Sequence, residues 1–211
     1  MQTKAATELY DYWARQRGER PVPLRSAIEP ADIAAILPDV FILEGGRPQS
    51  ARFRLAGTRL CAQFGRELKG SDFPALFAPD QRARIARIAG NVMTQATPAI
   101  LCMQLVDGAL DTTEAEIVLL PLMTGARAAD RIIGAFAPLP GQRQPLSAFR
   151  YATLGSVSVM DPDRPRDLAG SRPPIPVPTS VMAVRPAGFG QKVSRVMHLR
   201  IFEGGRRAEE T

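Results

Sequence analysis

Apolar positions along this chain follow two rhythms, and the switch between them marks its elements. Over residues 3–17, Ala6, Leu9, Tyr10 and Trp13 stand at i, i+3, i+4 and i+7, with Lys4, Glu8, Asp11 and Arg15 between them. That spacing predicts an amphipathic helix with one apolar stripe, stopped by Gly18. A helix this short is marginal alone, so the stripe must dock on something. Arg20-Pro21-Val22-Pro23 reads as an extended connector. Pro30 opens a second short helix with Ile33, Ile36 and Leu37 on its buried face, and Pro38 ends it.

The rhythm then changes to that of strands. Val40 to Leu43 is an apolar run, followed by the turn Gly45-Gly46-Arg47-Pro48 and a strand over 51–56. In that strand Phe53 and Leu55 alternate with Arg52 and Arg54, the pattern of a half-buried strand. Gly57 breaks it, and Thr58 is placed to cap a short helix carrying Leu60, Cys61 and Phe64, with Gly65 and Gly70 at its exit. A strand passing through a glycine into such a helix is one way to build a small cavity beside a sheet face. Phe73, Leu76 and Phe77 add an apolar knot, and Pro79-Asp80 begins a longer helix to about Ala96 with the stripe Ile85, Ile88, Val92 and Met93.

Three strands follow: Ala99 to Val106, Glu114 to Leu122 beyond the turn at Asp107-Gly108, and Arg131 to Leu139. They are apolar at nearly every position, as in Ile117-Val118-Leu119-Leu120. A sheet with one wet face alternates cleanly, so both faces of this one need cover. Central helices can cover one face; the helix at 3–17, or a second copy of the chain, is available for the other.

Composition narrows the setting. Apolar residues at 45% and charged residues at 23% of 211 are globular values. The longest apolar run, Ile117 to Met123, falls far short of the roughly 20 residues that span a bilayer. Residues 1–20 lack the apolar core of a signal peptide. Two cysteines give no disulfide framework, which places the chain in a reducing compartment, the cytoplasm. Charge is uneven: residues 141–211 carry 11 Lys and Arg against 6 Asp and Glu, a net of +5 out of the chain's +6. The basic balance therefore belongs to the tail, which argues against a nucleic-acid-binding face on the domain. That tail is punctuated by proline, with RPPIPVP at 172–178 favouring polyproline II, and only 192–202 shows a strand-like pattern. It reads as mostly disordered and weakly basic.

The order of elements, and the phrases LYDYWARQRG (9–18), SAIEPADIAAILPDVFILE (26–44) and FRLAGTRLCAQFGRELKGSDF (53–73), resemble the bacterial family of stand-alone PAS domain proteins with an N-terminal amphipathic helix. The likeness covers about 5–140. It implies an α+β fold: a five-stranded antiparallel sheet, helices clasping one face round a small pocket, the N-terminal helix on the other face, and a sensory or regulatory role. The matching residues are Trp13, Pro30, Pro38, Gly57, Phe64, Gly65, Leu68 and Gly70. The expected organisation is a helix and connector over 1–22, a PAS-like domain over 23–140 and a tail over 141–211.

Candidate chemistry is sparse. His198 is the single histidine and lies in the tail, which removes Ser-His-Asp or Cys-His catalysis, a haem ligand and a zinc set from the domain. Cys61 and Cys102 read as small buried hydrophobes, and Gly188-Phe189-Gly190 lacks the third glycine of a dinucleotide fingerprint. Glu114 and Glu116 read as a solvated strand edge rather than an acid-base pair. The group Arg52, Arg54, Arg59 and Arg66 surrounds the cavity region, as a solvated face or as a meeting point for an acidic ligand. Phe53, Leu55, Leu60, Phe64, Phe73, Leu76, Phe77, Met103 and Leu119 are the walls of an apolar pocket, or an ordinary filled core.

The expected function is a non-catalytic regulatory module acting through protein contacts, in a homodimer or with a signalling partner, with Leu9, Tyr10 and Trp13 at the interface. No cofactor or metal is expected. The alternative is a small-molecule sensor with the pocket around Phe64, and a lesser one is tethering of the basic tail to nucleic acid or an anionic membrane.

Overall fold

The computed structural model describes residues 1–45, 51–125, 128–142 and 147–163, all of which fall in one compact unit, Met1–Val177. The expectations placed on residues 46–48, 172–178 and 192–202 and on His198 lie outside the described residues.

Helix α1 is Lys4–Arg17. It starts because the Thr3 side chain accepts from Ala6 N–H, and it stops at Gly18, whose φ of 56° suits a residue without Cβ. Short 3-10 turns at Pro30–Ile33 and Leu37–Asp39 replace the second helix and deliver the chain to β1, Val40–Glu44. Strand β2 is Arg52–Ala56 and helix α2 is Thr58–Gln63. Gly57, not Thr58, occupies the cap position of α2, and no side-chain capping bond forms. Glycine is required there by space: a Cβ would lie 2.2 Å from the Pro38 carbonyl oxygen. Helix α3, Arg82–Thr94, follows and lies against the sheet.

The sheet has six antiparallel strands rather than five, in the order β2-β1-β5-β4-β3-β6, completed by β3 (Ala99–Val106), β4 (Thr112–Leu122), β5 (Arg131–Pro138) and β6 (Tyr151–Val159). The sixth strand corrects the expectation that the domain ends at 140 and a mostly disordered tail begins at 141. Its apolar pattern is broken by a bulge: Met103 pairs with Leu154 and Cys102 with Ser156, leaving Gly155 as the extra residue. Ala152 and Leu154 therefore share the inner face with Val157, three positions further on, and a period of two does not reveal them.

Along the central strands β1, β5 and β4 both faces of the sheet are hidden, as their apolar sequences demand. Along β4, Ile117 and Leu119 enter an inner core with α2, α3 and the turn Phe73–Leu76, while Val118, Leu120 and Leu122 enter an outer core beneath α1 and the connector. All five are buried. No helix among the described residues is long and apolar enough to cross a membrane.

Candidate functional site

The outer face is organised around one buried carboxylate. Glu116, on β4, is 1% exposed, which corrects its expected place on a solvated edge. Both its oxygens accept from Gln2 N–H at 3.1 Å, and Oε1 also accepts from Thr3 N–H at 3.2 Å and from the Thr3 hydroxyl at 3.0 Å. The acid thus meets the first free amides of α1, where the helix dipole favours a negative charge.

The other end of α1 is held by the same strand: Trp13 Nε1–H donates to the Pro121 carbonyl at 2.8 Å. The two anchor points match in length. Ten helical residues from Thr3 to Trp13 rise about 15 Å, and five strand residues from Glu116 to Pro121 span about 16 Å. Helix and strand run side by side between two polar clasps. Leu9, Tyr10 and Trp13 are 0%, 7% and 0% exposed, packed on Val118, Leu120, Ile133 and their neighbours. The stripe expected to meet a partner is instead seated on the chain's own sheet, because beyond Glu116 that face is apolar at Val118, Leu120, Leu122, Ile133 and Ala135 and lies within reach.

Further bonds fix the surroundings of α1. The Tyr12 hydroxyl accepts from Glu29 N–H at 2.8 Å and donates to Ala27 O at 3.4 Å; burial raises its pKa, against the lowering effect of the Glu29 bond. Arg17 pairs with Asp163, just beyond β6. Arg25 N–H donates to Met123 O, and Met123 N–H to Pro23 O, tying the connector to the end of β4.

On the inner face, Phe53, Leu60, Phe64, Phe73, Leu76, Phe77, Met103 and Leu119 come together in one buried cluster, and Leu55 does not. Leu55 is 43% exposed because β2 carries a bulge: Leu43 pairs with Phe53 but Ile42 with Leu55, so the register slips at Arg54 and Leu55 turns to the face of Ile42. The phenylalanines fill much of the space assigned to a pocket. Phe53, Phe73, Phe77 and Phe41 form edge and stacked contacts at 5.6–5.9 Å between ring centroids. Phe64 packs on Phe136 and Phe149 at 5.8 and 6.3 Å. Gln63 Oε1 in this region is buried and meets no hydrogen-bond donor among the described residues.

The arginines of the cavity region are paired within the chain. Arg52 meets Asp72 at 3.0 Å, Arg54 meets Glu44 at 3.4 Å, and Arg59 meets Asp39, while Arg66 is exposed. Asp39 is 5% exposed. Burial raises its pKa above 3.8, and the Arg59 guanidinium opposes that rise. Cys61 and Cys102 are half-buried rather than buried. Burial raises the pKa of the Cys102 thiol, against a hydrogen bond with Ser156. No group of three or more His, Cys, Asp or Glu that could hold a metal ion occurs among the described residues.

Sequence reasoning missed Glu116 and Gln63 as singular positions. Glu116 borders the apolar run Ile117–Leu120, but Glu114 two positions earlier makes the pair read as a strand edge, so its burial has no local signal.

Residues 1–137 match the family model described as PAS domain. The search of curated proteins found no match. Among solved structures, the crystal structure of the PAS domain of an HTR-like protein from Haloarcula marismortui is similar, with 13% sequence identity and a TM-score of 0.38, covering 52% of this chain and 90% of that one.

Proposed function

The chain belongs to the PAS domain family, and from that premise we propose that it is a non-catalytic regulatory module that acts through contacts with other protein chains, with α1 as the removable cover of its contact surface. The observation that carries this reading is the pair of clasps on β4. An apolar sheet face holding Val118, Leu120, Ile133 and Ala135 is covered by the connector and by α1, the helix anchored by Glu116 at one end and Trp13 at the other. Release of the helix would bare a contiguous apolar surface of the kind that binds protein. The test compares the wild-type chain with Glu116→Ala and Leu9→Gln/Trp13→Gln by sedimentation velocity and by pull-down from source-cell extract. A changed oligomeric state or a changed set of bound proteins is expected; identical profiles overturn the reading.

A second reading, a small-molecule sensor, is favoured by Gln63. Gln63 lies beside Phe64 in sequence and its buried Oε1 lacks a donor among the described residues, and a small ligand with an apolar body and one N–H or O–H would satisfy it. Native mass spectrometry of the purified full-length chain decides this. A retained small mass that Gln63→Leu abolishes supports the sensor, and an unliganded mass across preparations removes it.

A further inference from the structure

The two halves of β6 differ. On the side away from β3, the first half is closed: Ala78 N–H donates to Ala152 O at 2.9 Å, and Leu154 N–H donates to Gln81 Oε1 at 2.7 Å. The second half, Gly155–Val159, has no such cover among the described residues. Gly155, Ser158 and Val159 are exposed, and Val159, at 71%, is the most exposed large hydrophobic among those residues. Met160 N–H turns inward to Pro98 O at 2.9 Å. The alternation of an antiparallel ladder then aims the N–H and C=O groups of Val157 and Val159 outward. The opposite edge of the sheet is closed at Ala51 and Phe53. There Gly70 N–H donates to Phe53 O, Phe53 N–H to Ser71 O, and Phe73 N–H to Ala51 O.

We infer that the second half of β6 binds a second copy of this chain, β6 beside β6 in antiparallel order about a two-fold axis at Ser158. This register is self-complementary. Val157 exchanges backbone hydrogen bonds with the partner's Val159, and the reverse, so the outward groups of both residues are satisfied and the exposed Val159 side chain gains an apolar neighbour. Residues 151–160 carry no charge. In this register Asp161 falls opposite the partner's Gly155, so no like charges meet along the paired stretch. A two-fold contact uses the same edge of both copies, so pairing stops at two instead of running on into a filament. The inference rests on the protein-contact reading above but uses a different surface from the one beneath α1.

The test is made on the full chain by sedimentation equilibrium over a concentration series. The wild type is expected to form a reversible dimer. Ser158→Lys places two ammonium groups directly opposite each other and is expected to weaken the dimer about fivefold. Ser158→Glu alone does the same, and an equimolar mixture of the two variants recovers association, while circular dichroism shows each variant folded. A dimer indifferent to both substitutions uses another surface and overturns the inference. So does a wild type that stays monomeric, whether the Val157 and Val159 amides exchange freely or are protected by another segment of the same chain. Glu116→Ala, run alongside, acts on α1 only, so an effect there without one at Ser158 removes the edge and leaves the module reading standing.

Discussion

Glu116 and Thr3 are bound to each other across 113 residues of sequence by two bonds to one carboxylate oxygen, at 3.2 Å from the Thr3 amide and 3.0 Å from its hydroxyl. The same threonine caps α1 by accepting from Ala6 N–H at 3.3 Å. A strand residue thereby fixes the threonine that caps the helix. Replacing Glu116 by Ala leaves the buried Thr3 amide and the part-buried Gln2 amide without their acceptor, at a cost of about 1–3 kcal/mol in urea unfolding. Glu116→Gln keeps one acceptor but turns an NH2 toward backbone donors, and should fall between. Amide exchange in the first two turns of α1 should accelerate in both variants.

Trp13 is the chain's one tryptophan and is 0% exposed, so its emission reports α1 docking directly. The native spectrum should be blue-shifted. It should move to the red in Glu116→Ala at denaturant concentrations below the main transition, as the helix lifts first. Trp13→Phe retains much of the apolar contact and loses the bond to Pro121 O, for about 1–2 kcal/mol. Trp13→Ala should cost about 3–5 kcal/mol.

Asp39 gives the fold an acid-side pH dependence of defined sign. Its folded pKa is raised above 3.8, chiefly by burial. Between the unfolded and folded values the native state binds more protons than the unfolded chain, so Asp39's contribution to stability is fully present below 3.8 and falls as pH rises through the folded value. Asp39→Asn should flatten this part of the stability profile. Arg59→Ala removes the opposing guanidinium and should steepen it, with the midpoint moved to higher pH. Urea midpoints measured across the acidic range check both.

Two bulges mark the limit of what the alternation of residues reveals. Helix α1, β1, β3 to β5 and the need to cover both sheet faces follow from apolar spacing alone. Each bulge adds one residue to one strand and reverses which side every later residue faces. At Arg54 this moves Leu55 out of the pocket set, and at Gly155 it hides β6 inside a stretch that reads as tail. Glu116 escaped for a different reason: its partners, Gln2 and Thr3, are distant in sequence, and no local pattern announces a long-range bond. Phe53 and Leu55, two positions apart, should therefore respond in opposite ways. Phe53→Ala is expected to cost about 3–5 kcal/mol, whereas Leu55→Lys, on the exposed side, should stay within about 0.5 kcal/mol.

The domain's end lies beyond β6 on the same logic, and truncation tests it. A chain ended at residue 140, where composition changes, loses Phe149, Ala152 and Leu154 from the inner core. It also loses the bonds from Phe149 N–H to Gln63 O and from Ala78 N–H to Ala152 O, and it bares the edge of β3. Buried aromatic and aliphatic side chains of this size each contribute about 2–5 kcal/mol. Their joint removal approaches the whole stability of an ordinary domain, about 5–15 kcal/mol. The chain ended at 140 should lack a cooperative unfolding transition and bind hydrophobic dye, while one ended at 163 should unfold cooperatively. Cooperative unfolding of the shorter chain would show that β6 is an ornament to the sheet and not part of its core.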